Sequence, residues 1–254
     1  MLAIIPIPAF KDNYIWLLKQ NHYVAAVDPG DGQTVLKYIQ QNNLQLTAIL
    51  LTHHHFDHVD GVKDLVKQYP VRVYGPKHET MAAVTHPLTE NDQVELSELA
   101  LNFKVIEIPG HTAGHIAYYA KPYLFCGDTL FAGGCGRIFE GTPLQLFQSL
   151  SKLAALPDRT QVFCAHEYTL NNLEFALQVE PDNNALQQRY RQIKALREKN
   201  IITLPSLLRD EKQTNPFLRC EQNTIKQAAE SYAATRLSNP AAVFKAIREW
   251  KDSF

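Results

Sequence analysis

The sequence predicts an α+β protein: packed sheets with covering helices, followed by an all-helical region. Three observations carry this. Eight short runs up to Cys164 are rich in β-branched and aromatic residues, and turn signals bound several of them. All eleven glycines and all ten histidines lie at or before His166, and the 88 residues after it contain neither. In that tail, apolar residues recur every three or four positions, the period of a helix.

Taken in order, Met1–Phe10 is apolar but has no basic start and is broken by Pro6 and Pro8, so it reads as a strand and not as a signal peptide. Strands are expected at Tyr14–Leu18, Tyr23–Val27, Ala48–Leu51, Val71–Tyr74, Phe103–Ile108, Ile116–Tyr119, Tyr123–Cys126 and Val162–Cys164. Asp28-Pro29-Gly30 and Lys121-Pro122 punctuate them as turns. Helices fit Thr34–Gln41, Val62–Gln68 and Leu144–Leu156, the last with Leu146, Phe147, Leu150, Leu153 and Ala154 on one face. In the tail, Leu186, Tyr190, Ile193 and Leu196 share a helical spacing. Asn239-Pro240 is a helix start, with Val243, Ile247 and Trp250 on one face after it. Ile201–Cys220, with Pro205 and Pro216, reads as a loop or short turns. The division expected is 1–166 and 167–254, with no Gly/Ser-rich tether between them.

Composition excludes several classes. At 45% hydrophobic and 20% charged, the 254 residues support a buried core and not a disordered or fibrous chain. A net charge of −1 argues against a dominant nucleic-acid footprint. No apolar run reaches the roughly 20 residues of a membrane span. Cys126, Cys135, Cys164 and Cys220 show no CxxC pairing, so reduced thiols in a cytoplasmic protein are expected.

The chemistry concentrates in Thr52-His53-His54-His55-Phe56-Asp57-His58, between a strand and a helix. His53 and His55 project to one side of an extended backbone, and Asp57 and His58 follow round the turn. Imidazole and carboxylate suit divalent transition metals. Four candidate ligands within six residues exceed the needs of one tetrahedral ion with an open position, and so suggest two ions. His111, Asp128 and His166 each follow a strand at a loop and could complete the sites. A lone histidine after a strand is ordinarily a satisfied polar residue, and His22, His54, His78 and His86 are read that way. His115 is read as a structural neighbour. The clustered histidines are not readily explained so.

These residues resemble the metallo-β-lactamase superfamily, and more closely its glyoxalase II branch, the hydroxyacylglutathione hydrolases. The resemblance rests on Asp28-Pro29-Gly30, THHHFDH, Pro109-Gly110-His111-Thr112, Gly127-Asp128-Thr129-Leu130-Phe131, Gly133-Gly134-Cys135-Gly136-Arg137 and His166-Glu167-Tyr168-Thr169. It implies a four-layer αββα sandwich for residues 1–166 and a helical substrate-binding domain for 167–254. It implies two divalent ions, with zinc the first expectation and iron or manganese as alternatives. His53, His55 and His111 would hold one, Asp57, His58 and His166 the other, and Asp128 would bridge them. The implied reaction is hydrolysis of S-D-lactoylglutathione and related thioesters by a hydroxide shared by the ions, the second step of methylglyoxal detoxification. Asp57 would help orient that water.

Glutathione carries two carboxylates and an amine, and the resemblance puts its contacts at Arg137, Phe139, His166, Tyr168, Arg248 and Lys251. Arg248 and Lys251 are three apart, neighbours on a helix. Phe139 stands where many relatives have tyrosine, and Arg137 where many have lysine. Lys245 and the basic stretch Arg189, Arg191, Lys194, Arg197 and Lys199 read as solvated helix faces. The rival reading is an iron-dependent glutathione persulfide dioxygenase. The expected partner is a small glutathione thioester, with no nucleic acid, no membrane and a monomeric state.

Overall fold

The structure, a computed structural model, describes all 254 residues. The chain forms two compact units: Met1–Glu107 with Ala113–Gly127, and Ile108–Thr112 with Asp128–Phe254.

In the first unit, β1 (Ala3–Ala9), β2 (Asn13–Gln20) and β3 (Tyr23–Val27) pair antiparallel, and β4 (Gln45–Leu50), β5 (Arg72–Pro76) and β6 (His86–Leu88) continue the sheet in parallel. The parallel part needs crossovers, which α1 (Gly32–Gln41), the single turn α2 (Phe56–Val59) and α3 (Val62–Gln68) supply. Alternate residues Ile15, Leu17, Val24, Ala26, Ile49 and Leu51 pack with Val35, Leu36 and Ile39 of α1 and Val62 and Leu65 of α3. Their neighbours Trp16, Leu18, Ala25, Val27, Ala48 and Leu50 are buried as well. Both faces are therefore covered, which is why these strands read as continuous apolar runs. A meander of β7 (Gln93–Leu96), β8 (Leu101–Glu107), β9 (Ile116–Ala120) and β10 (Tyr123–Gly127) forms the other strands of this unit. The buried Tyr118 hydroxyl of β9 donates to the Leu51 carbonyl at 2.8 Å, tying the meander to the end of β4.

The second unit holds the short hairpin β11 (Leu130–Phe131) and β12 (Gly134–Cys135), helix α4 (Pro143–Ala154), and the pair β13 (Gln161–Cys164) and β14 (Ser206–Leu207). Its other helices are α5 (Thr169–Val179), α6 (Asn184–Arg197), α7 (Leu208–Thr214), α8 (Asn223–Ala233) and α9 (Pro240–Ser253). Helix α4 starts with a capping box between Thr142 and Gln145. The Asn239 side chain caps α9 through Ala242 N, as the Asn-Pro start implies. No helix is long and apolar enough to cross a membrane.

Each expected strand and helix has its counterpart, with ends shifted by a few residues. Ile201–Cys220 is more ordered than expected, holding β14, α7 and a 3₁₀ turn at Pro216–Leu218. Helix α7 buries Leu208, Glu211 and Thr214, so one acid and one hydroxyl occupy its inner face and no apolar period marks it. Helix α5 buries residues on several sides, which likewise leaves no single stripe. The basic face of α6 also needs correction. Arg191, Lys194 and Lys199 are exposed, but Arg189 pairs with the fully buried Glu211, and Arg197 lies 3.6 Å from Glu167.

Candidate active site

The first unit mounts four ligand candidates on one turn after β4. Asp28, in the left-handed region at φ 51°, clamps the start of that turn. It accepts from Thr52 N at 2.8 Å and from the Thr52 hydroxyl at 2.7 Å. The Asp28 turn approaches so closely that a Cβ on Gly30 would lie 1.9 Å from the Asp57 carbonyl oxygen, so only glycine fits. Asp28 Oδ2 also lies 3.0 Å from Nδ1 of the buried His58, whose Nε2 is 3.6 Å from Asp57 Oδ2. A carboxylate behind one ring nitrogen fixes the tautomer and leaves the other nitrogen as the ligand. His53 repeats the pattern: Nδ1 is 3.1 Å from the Thr52 hydroxyl, and Nε2 is 3.1 Å from Nδ1 of His55. The Asn13 amide donates to Asp57 Oδ2 at 2.9 Å, which orients that carboxylate. His115 stacks on His53 with ring centroids 4.6 Å apart and is fully buried, a structural neighbour as expected. His54 turns away to Glu79 at 2.9 Å.

The second unit brings together three candidates that are far apart in sequence. His111, Asp128 and His166 are all buried. Nδ1 of His111 lies 2.7 Å from the Arg137 carbonyl oxygen. A carbonyl can only accept, so Nδ1 carries the proton and Nε2 is the ligand nitrogen. That Nε2 is 3.6 Å from Asp128 Oδ2, and Nε2 of His166 is 3.3 Å from the same oxygen. Close approach again demands glycine: a Cβ on Gly136 would sit 1.9 Å from the Asp128 carbonyl oxygen. Tyr168 stacks parallel on His166 at 4.7 Å, and Phe131 meets both rings edge-on.

A cavity of about 360 Å³ in this unit is lined by His111 and Asp128 together with Arg137, Phe139, Tyr168, Arg248 and Lys251. Asn171, Asn172 and Cys135 complete much of its wall. The size suits a tripeptide-sized ligand. Lys251 Nζ donates to Asn171 Oδ1 at 2.6 Å and lies about 5 Å from the Phe175 and Phe254 rings. Burial, and then the Arg248 charge, lower its ammonium to about 8. Arg248 is buried. Its Nη1 donates to the Cys135 carbonyl at 2.9 Å and its Nη2 to Asp252 at 3.1 Å. Its Nε, also buried, has no hydrogen-bond partner. Asp252 is shared with the exposed Arg137, 3.3 Å away. Phe139 is exposed and sets its ring edge-on to His111 at 5.3 Å. Burial pushes the Cys135 thiol up to about 11, so it is neutral and no nucleophile at ordinary pH.

Sequence reasoning missed Asn13, Asp252 and the amides on α5. None belongs to a local cluster: Asn13 acts on Asp57 44 positions away, Asn172 on Ala132 40 away, Asn171 on Lys251 80 away and Asp252 on Arg137 115 away. Asp28 was read only as a turn. Its left-handed backbone suits a turn residue, and its buried carboxylate on His58 is what the sequence does not announce.

The second unit's helical tail and the histidine-bearing turns have separate counterparts among known families. Residues 10–166 match the model of the metallo-β-lactamase superfamily, and residues 167–254 match the hydroxyacylglutathione hydrolase C-terminus. Among solved structures, the fold is shared with the BLEG-1 B3 metallo-β-lactamase, at TM-score 0.65 and 23% identity over 86% of this chain and 99% of that one. ETHE1 from Myxococcus xanthus shares it at TM-score 0.67 and 21% identity over 100% of this chain and 99% of that one. Similar curated proteins include the hydroxyacylglutathione hydrolase of Nitrosomonas eutropha, 52% identical with 100% of each chain covered. That of Aeromonas salmonicida is 54% identical, again with 100% of each covered. With the histidine-bearing turns and the helical tail both matched and relatives more than half identical along the whole length, the chain belongs to the hydroxyacylglutathione hydrolase family of the metallo-β-lactamase superfamily.

Proposed function

We propose that the protein hydrolyses the thioester of S-(2-hydroxyacyl)glutathiones, chiefly S-D-lactoylglutathione, to glutathione and the hydroxy acid. One observation carries the reading beyond the family name: a single cavity joins the ligand candidates His111 and Asp128 to three cationic side chains, Arg137, Arg248 and Lys251. A substrate with two carboxylates and a reacting centre near a metal needs that combination.

The donor chemistry fits two divalent ions, since every candidate is imidazole or carboxylate. By the family's pattern, His53, His55 and His111 would hold one and Asp57, His58 and His166 the other, with Asp128 joining both. Zinc is the first choice for these donors, and iron and manganese are also served by them. When bound, the ions supply Lewis acidity and lower the pKa of a water from about 15.7 towards about 7. The chain's own groups do the rest. Asn13 holds one oxygen of Asp57, so that its carboxylate keeps one orientation toward the attacking water. Asp28 and the Arg137 carbonyl hold the protons on the outer nitrogens of His58 and His111, which keeps the inner nitrogens available. Arg248, with its unpartnered Nε, and Lys251 bind carboxylate. The leaving group is a thiol of pKa about 8.5, so it departs as thiolate and no general acid is required. Residues 1–166 act in this reading as the catalytic part and 167–254 as the substrate-binding part. We read the working form as a monomer, and its compartment as the cytoplasm, where four unpaired cysteines stay reduced.

The test is to follow thiol release and oxygen uptake together on metal-loaded protein given S-D-lactoylglutathione or glutathione persulfide. Thiol release without oxygen uptake is expected. Oxygen consumption with a single bound iron would replace this reading by the dioxygenase.

A further inference from the structure

The segment Phe131–Arg137 is buried up to Gly136, yet only the two pairs Leu130↔Cys135 and Phe131↔Gly134 belong to a strand ladder. Buried main chain outside regular structure must find partners elsewhere. Here side chains of the helical tail supply them. Asn215 Nδ2 donates to the carbonyls of Phe131 at 3.2 Å and Gly134 at 2.9 Å. Asn172 Nδ2 donates to the Ala132 carbonyl at 3.2 Å. Gly133, left-handed at φ 70°, donates its N–H to Glu211 Oε2 at 2.8 Å. Arg248 takes the Cys135 carbonyl.

Glu211 is the hub of this set. It is fully buried, accepts from Asn215 Nδ2 at 3.2 Å as well as from Gly133, and its other oxygen accepts from Arg189. Arg189 is fixed in turn by the Thr214 hydroxyl at 2.6 Å. A charge buried this fully persists only where it is paired and hydrogen-bonded. Two of its partners are the strap's own N–H and the amide that holds two of the strap's carbonyls. The strap ends at Arg137, whose carbonyl sets the His111 ring and whose side chain lines the cavity.

We infer that Glu211, with Arg189, is a positioning residue for the active site: it holds the strap 131–137, and through it His111 and the cationic wall of the cavity. Neither residue lines that cavity. The role rests on the proposed thioesterase only where substrate is the readout.

The experiment compares Glu211→Gln, Arg189→Met and Arg189→Lys with wild type, at a temperature where all are folded. Three quantities are read: hydrogen–deuterium exchange of 131–137, loss of zinc to a chelator, and KM against kcat for S-D-lactoylglutathione. The expected result for Glu211→Gln is faster exchange of the strap, zinc lost about tenfold faster, and KM raised about tenfold with a smaller fall in kcat. Arg189→Met moves the same quantities in the same direction, and Arg189→Lys, which keeps a cation beside Glu211 and is the safer variant for folding, restores part of each. A lower melting temperature with strap exchange and zinc retention as in wild type would overturn the inference. If the protein proves not to hydrolyse lactoylglutathione, exchange and zinc loss still decide it.

Discussion

The two units assemble their ligands in opposite ways. In Met1–Glu107 with Ala113–Gly127, four candidates sit within six residues on one turn, braced by Asp28, Thr52 and Asn13. In Ile108–Thr112 with Asp128–Phe254, three candidates 17 and 38 residues apart in sequence lie together, one of them set by a strap hung from helices, and the cavity proposed for substrate is lined by the same strap. In the first arrangement the ligands themselves are neighbours in sequence. The second depends on contacts of long range. The metal-holding and substrate-holding tasks should therefore respond differently to damage in the two units.

The largest effect should come from Asp128, the carboxylate proposed to join both ions. Asp128→Ala should lower thiol release on the order of 10³-fold and cost at least one bound ion, read by rate and metal analysis on the same sample. Next comes the cationic wall. Lys251→Glu should raise KM roughly tenfold or more and change kcat far less, because the charge-assisted contact proposed to substrate would be replaced by repulsion. Damage confined to KM would sharpen the contrast with the ligand turn; an unchanged KM would break it.

A pH dependence follows from Lys251. Its ammonium is lowered to about 8 by burial and by Arg248, so the charge is present below that pH and is lost above it. KM should be flat below about pH 8 and climb above it, while bound carboxylate holds the proton on and moves the break upward in kcat. Lys251→Arg should remove the climb, since guanidinium stays charged. Smaller again is Asn13→Ala in the first unit. It frees one oxygen of Asp57 and should lower kcat several-fold with KM unchanged, the mirror image of the wall variants. Smallest is Phe139→Tyr, which adds a hydroxyl beside His111 at the cavity and should lower KM by a few-fold at most.

The same contrast explains what could be read from the chain. The turn at 52–58 announces itself because its ligands are consecutive and its period is that of an extended strand followed by a turn. The strand runs were legible because both faces of the parallel sheet are buried. The strap was visible only as the glycines of Gly133-Gly134-Cys135-Gly136. Its anchors, Asn172, Glu211, Asn215 and Arg248, lie 40 to 113 residues further on, in or at the ends of helices that carry no shared motif. Glu211 hid best of all. It faces inward from a helix with charged neighbours, where the apolar period that reveals a buried face is absent, and so Arg189 looked solvated.

The central claim is that seven imidazole and carboxylate ligands hold two cations and that hydrolysis needs them. The most direct measurement titrates the metal-stripped protein with zinc while recording bound zinc and thiol release from S-D-lactoylglutathione. Two zinc ions bound per chain, with activity absent before the first and complete with the second, is the result expected. Full activity in the stripped protein, or a chain that takes up no zinc at all, would contradict it.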